Sequence, residues 1–274
     1  MMSYIYDEHL DLMPLYEQSM RFKGEESLID CLAHVDNLVV KAILKSLGSS
    51  THKDACTFLD RVKDQGWETI TMPRALGDIA VLRVVVLWMN RSPQRIKEWL
   101  SQQGVTKMIP YDIDIRWNYT LVMIEAALSN WAALQAWIKD HLELQHLEFG
   151  QERWKRLTQI RDLLKPFEEH TMFVSREEPT LHRIPNLYLK LDKLLQSIVK
   201  KQGVYATYDP SLIEAARKGL EKFNEYYLEM MKNDMYWIAC ILDPRVKTNW
   251  LKKNHQDADE IITRIKSFLK EAYP

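Results

Sequence analysis

Ile79-Ala80-Val81-Leu82-Arg83-Val84-Val85-Val86-Leu87-Trp88-Met89 decides the fold class. The run is apolar throughout except for Arg83, and it falls well short of the 18 or more residues that could cross a bilayer. It reads as a core helix, opened by Pro73, running from about Leu76 to Met89 and apolar on most faces. Upstream, Val35, Leu38, Val39, Ala42, Ile43 and Leu47 recur at helical spacing until Gly48-Ser49-Ser50, and residues 52–64 give a short further helix. Downstream, Ser92-Pro93 is an N-cap with a first-turn proline, starting a helix that Gly104 should end. Long helical patterns follow over about Thr120–Leu144, Glu152–Thr171, Ile184–Lys201, Pro210–Lys232 and Ala258–Ala272. Strand is expected only in short pieces near Leu28–Cys31 and Asp112–Trp117, the second because Ile-x-Ile alternates with period two. The expected fold is therefore mainly α.

Composition agrees. Lys+Arg number 37 and Asp+Glu 38, a net charge of −1, so any contact with nucleic acid must come from local patches rather than bulk charge. With 46% hydrophobic and 27% charged residues the chain is globular, as one large domain or two small ones. Only 8 of 274 residues are glycine, which disfavours turn-rich sandwiches and Gly-rich phosphate loops. Cys31, Cys56 and Cys240 are too few and scattered for a disulfide framework and fit a reducing compartment. The first residues are acidic where a signal peptide is basic and then apolar, so none is expected. Seven acids against two bases mark residues 1–30 as an acidic N-terminal segment.

Four segments stand out: Cys31-Leu32-Ala33-His34-Val35-Asp36-Asn37-Leu38, Asp112-Ile113-Asp114-Ile115-Arg116-Trp117-Asn118, Leu163-Leu164-Lys165-Pro166-Phe167-Glu168-Glu169-His170-Thr171, and Tyr236-Trp237-Ile238-Ala239-Cys240-Ile241-Leu242-Asp243-Pro244-Arg245. In this order and spacing they resemble elements of the hAT superfamily of cut-and-paste DNA transposases. In that family a large all-helical insertion interrupts an RNase H-like catalytic domain. The resemblance implies that residues 31–254 are mostly this insertion, with at most a remnant of the sheet, followed by a C-terminal helix over 255–274. Two aspartates and a glutamate holding two divalent metals perform the family's phosphodiester chemistry. None of the three is found here, nor is the zinc-finger module often seen in such transposases. Asp36 stands where the family usually has leucine or isoleucine, and Asp114 and Ile115 also depart from the pattern, which suggests partial decay.

The resemblance also nominates site residues. The family tryptophan matching Trp117 is implicated in stacking on a base at the cleaved DNA end; the competing reading is packing, as for the other eight tryptophans. Arg116 and Trp117, with Lys190, Lys193, Lys200 and Lys201 from a local patch of +4, are the DNA-binding candidates. A second patch, Arg245, Lys247, Lys252 and Lys253 against Asp243, carries +3. Cys31, His34, Asn37, Asp243, Pro244 and Arg245 are read as structural, with Cys31 buried and His34 hydrogen-bonded. The alternative for the first pair is a zinc site of Cys31, His34, His52 and Cys56. The adjacent acids Glu168 and Glu169, Glu177 and Glu178, and Asp257, Asp259 and Glu260 read as solvated faces.

These readings predict a catalytically incomplete, transposase-derived protein without a cofactor, whose partners are DNA, another protein or a second copy, and not a membrane. Family resemblance places it in the nucleus, and otherwise it would be cytoplasmic. Two alternatives stay open: part of an active transposase whose Asp/Asp/Glu residues lie outside this chain, and a helical protein-interaction scaffold.

Overall fold

The computed structural model describes residues 31–66, 77–112, 117–147, 149–175 and 181–272. Most of both expected strand pieces, residues 28–30 and 113–116, lies outside them, as does the acidic segment. Among the described residues there are twelve α-helices and no strand: α1 Leu32–Ser46, α2 His52–Gln65, α3 Asp78–Asn90, α4 Pro93–Leu100, α5 Asn118–Ser129, α6 Trp131–Asp140, α7 Gln151–Val174, α8 Ile184–Val199, α9 Pro210–Lys232, α10 Asp234–Leu242, α11 Lys247–Asn254 and α12 Ala258–Ala272. The protein is mainly α, as its sequence predicts.

The chain divides into two compact units, one of residues 36–171 and 193–222, the other of the chain up to Val35, residues 172–192 and residues 223 onward. The larger unit is organised around α3. Every residue from Ile79 to Met89 is buried there, and Val39, Ile43, Leu121, Ile124 and Leu134 belong to the same unit's buried apolar set. Gly77 precedes α3 because no side chain fits at that crossing: its N–H donates to the Gly48 carbonyl at 3.1 Å, and a Cβ would lie 1.8 Å from the Leu47 carbonyl oxygen. A capping box starts α2, with Thr51 Oγ1 accepting from Asp54 N–H at 3.1 Å and Asp54 accepting from Thr51 N–H at 2.7 Å.

Two helix ends differ from the sequence expectation. The helix from Pro93 stops at Leu100, before Gly104, where Ser101 Oγ donates to the Glu98 carbonyl and Trp99 Nε1 turns to the Lys107 carbonyl. The single helix expected over 120–144 is two, α5 and α6, bent by 82° at Asn130. The Asn130 side-chain amide donates to the Ala126 carbonyl at 2.8 Å, a local bond that competes with the helical ladder, while its own carbonyl opens α6 by accepting from Leu134 N–H. Among the described residues no single helix is long and apolar enough to cross a membrane.

The smaller unit has an aromatic centre, Tyr188, Phe223 and Tyr227, with ring centroids 5.2–6.0 Å apart. Beside it in sequence, α10 buries Tyr236, Trp237 and Cys240, and Trp237 Nε1 donates to the Met231 carbonyl at 3.1 Å. α12 contributes Ile261, Ile262 and Ile265, spaced to one helical face.

Candidate functional site

Three polar clusters hold the four conspicuous sequence segments in place. The first joins α1 to α7 within the larger unit. Asp36 is 1% exposed, on the face of α1 that carries Val39, Val40 and Ile43. Its carboxylate meets His170 Nδ1 at 2.7 Å and accepts from Thr171 Oγ1 at 3.2 Å. Burial raises the pKa of this carboxyl, and the contacts with His170 and Thr171 oppose the rise. His170 Nε2 is also buried and finds no partner among the described residues. The charge at Asp36 is thus met by polar groups from another of the four segments.

The second cluster explains the charge inside the apolar run. Arg83 forks onto Asp112, with Nε donating to Oδ1 at 2.5 Å and Nη2 to Oδ2, and Nη1 donates to the carbonyls of Ser49 and Ser50, the latter at 2.7 Å. Thr120 Oγ1 adds a bond to Asp112 at 2.7 Å. A buried guanidinium needs this full set of acceptors, and its planar fork supplies matching geometry. Ser50 has φ of 48°, a left-handed conformation for a non-glycine residue, with its carbonyl held by Arg83.

The third cluster lies at the end of α10 in the smaller unit. Asp243 accepts from Arg245 N–H at 2.8 Å and from its guanidinium at 2.9 and 3.0 Å. His182 Nε2 stands 3.1 Å from both Asp243 Oδ2 and Arg245 Nη2, and 3.0 Å from Arg183 Nε. The Arg245 side chain and backbone N–H hold the Asp243 carboxyl well below the usual carboxylate range, and burial pushes the nearby Cys240 thiol up to about 11. Leu181, Ala239, Leu242 and Pro244 complete a shallow apolar hollow around these groups. Asp243 and Arg245 are accordingly structural partners, closing the turn after α10.

The nominated DNA contacts separate. Lys190, Lys193, Lys200 and Lys201 are all exposed, on α8 and immediately after it, and Lys200 donates to Gln196 Oε1 at 2.9 Å. Arg116 lies outside the described residues. Trp117 is only 5% exposed, which corrects the stacking expectation: a ring packed into the interior offers no face to an unstacked base. Of the four candidate zinc ligands, Cys31 and His34 are exposed, while Cys56 Sγ sits 3.7 Å from His52 Nδ1 one turn before it. Among the described residues no three His, Cys, Asp or Glu side chains converge as a metal site would require. The expected burial of Cys31 is also corrected: the apolar stripe of α1 runs through Val35, Val39 and Ile43, and Cys31 and His34 fall off it. Cys31 instead supplies the carbonyl that accepts the His34 and Val35 N–H groups at the start of α1.

His182, Arg83 and the pairing of Asp36 with His170 are not among the residues that sequence reasoning nominates. Arg83 and Asp36 do carry a signal, being charges at positions whose neighbours are apolar; their partners, 29 and 134 residues away, carry none.

The chain is similar to a protein of Zea mays described as "Putative AC transposase", with 26% identity over 217 residues. The match covers 76% of this chain and 25% of the maize protein, so the chain corresponds to about a quarter of its relative. No protein-family model matches the chain, and no solved structure does.

Proposed function

We propose that this chain, transposase-like in sequence, is the helical part of a hAT-type transposase lineage, and that it binds nucleic acid without cutting it. The observation that carries this reading is the 217-residue similarity to the maize transposase, which supports the same family as the four ordered segments. All four segments contribute to the three polar clusters described above, whose charged groups are engaged by one another rather than directed at a shared centre. The phosphate-neutralising groups we propose are the exposed side chains of Lys190, Lys193, Lys200 and Lys201, which would bind without reading sequence. A nuclear location follows from this reading.

Titration of the protein onto plain and hairpin-ended duplexes at two salt concentrations tests it. Affinity should fall steeply with salt. Replacing all four lysines by alanine should weaken every DNA alike, flattening the log–log salt slope by about 0.9 for each phosphate that is no longer neutralised. Unchanged binding in that variant would remove these lysines from consideration. No strand cleavage is expected with magnesium or manganese, and cleavage abolished by mutating an acid of this chain would overturn the non-catalytic part.

The coverage of the maize protein favours a second reading, in which the chain works as part of an active transposase whose Asp/Asp/Glu residues lie outside it. Addition of the relative's remaining regions would then restore metal-dependent cleavage.

A further inference from the structure

The nucleophile placed most favourably in this molecule is Cys56, and neither the transposase resemblance nor the clusters above give it a role. It lies on α2, half-buried, with the two nitrogens of His52 at 3.7 and 3.9 Å from its sulfur. The capping box fixes the turn that carries His52, and the imidazole packs against the Tyr111 ring at 5.7 Å. From the end of α3, the Arg91 guanidinium donates to Asp60 at 2.7 Å, and Cys56 is among the groups that act on its charge. A thiol with a base one helical turn away and a fixed cation beside it differs from the other two cysteines: Cys31 is exposed, and Cys240 is buried.

We propose that Cys56 is a reversible modification site for low-molecular-weight disulfides of the glutathione type. His52 accepts the thiol proton as the Cys56 sulfur attacks one sulfur of the disulfide. A protein–ligand S–S bond forms, the ligand's S–S bond breaks, and the departing thiolate takes up the proton from the imidazolium. One thiol and one disulfide go in, and one mixed disulfide and one thiol come out, so no further oxidant is needed. Arg91 contributes twice, by donating to the sulfur as charge develops and by offering a cation to the carboxylates of an acidic ligand; its side chain is 37% exposed. The adduct would sit at the packing of α2 on α3, so thiolation would act on the larger unit directly.

The experiment incubates the full chain with oxidised glutathione and follows each cysteine by peptide-resolved mass spectrometry. Cys56 should be modified about tenfold faster than Cys31 despite the greater exposure of Cys31, with Cys240 protected until the protein is denatured. His52→Ala should slow Cys56 by about tenfold while leaving the Cys31 rate and the helical circular dichroism unchanged. His52→Asn, which keeps a polar group without the base, should be as slow as the alanine variant, and Arg91→Gln should give an intermediate rate. Modification of Cys31 as fast as Cys56 in the wild type, or a Cys56 rate indifferent to both His52 substitutions, would overturn the proposal.

Discussion

Asp36 in the larger unit and Asp243 in the smaller one are both buried carboxylates within the conspicuous sequence segments, and their surroundings push them in opposite directions. Asp36 sits on an apolar helix face with His170 and Thr171 as partners, and burial raises its pKa from the ordinary 3.8. Asp243 sits in a turn where the next-but-one residue brings a backbone N–H and a guanidinium, and these lower its pKa from the same value. Burial alone therefore does not set a carboxylate's cost. The number of donors delivered does, and donors delivered by an adjacent turn come with less ordering than donors brought from a distant helix.

The largest expected effect follows from removing one member of the distant pair. Asp36→Leu restores the apolar residue but strands His170 Nδ1 in the interior beside an Nε2 that already has no partner among the described residues, and should cost about 2–3 kcal/mol in urea unfolding. The double variant Asp36→Leu with His170→Leu should recover most of that loss. Additive losses would show instead that the two residues act independently.

Stability against pH separates the two carboxylates by sign. A raised folded pKa means that the unfolded chain ionises first, so the Asp36 contribution declines as pH rises above the ordinary carboxyl value toward the folded one. Asp36→Asn should remove that decline. Asp243 contributes stability that is present above the ordinary value and lost as pH falls toward its lowered folded pKa, so Asp243→Asn should match the wild type in strong acid and fall below it near neutrality. Unfolding curves from about pH 3 to 7 test both, and the same sign for the two variants would break the contrast. At neutral pH the loss in Asp243→Asn should be smaller than in Asp36→Leu, because the turn can rehydrate while the helix interface cannot.

The smallest effect is expected for Thr171→Val, which deletes one long hydrogen bond to Asp36 and should cost about 0.5–1 kcal/mol. A loss as large as that of Asp36→Leu would mean that Thr171, not His170, is the main partner.

Sequence alone determined what depends on near neighbours. The apolar run at Ile79–Met89 had to be a buried helix, and periodicity places α9 and α12 at the bounds the structure has. The bend at Asn130 and the early stop at Leu100 escape it because each rests on a side-chain bond competing with the ladder, which periodicity does not register. The α10 helix is masked by its family likeness, since Tyr236–Arg245 reads as a motif before it reads as an element. Tertiary structure decided the rest: that Trp117 is packed inward, that Cys31 lies off the apolar stripe, and that Asp36 meets His170 across 134 residues of chain. Hydrophobic period is written locally, in three or four residues at a time. Which distant donor reaches a buried charge depends on how whole helices pack, and no local pattern encodes that.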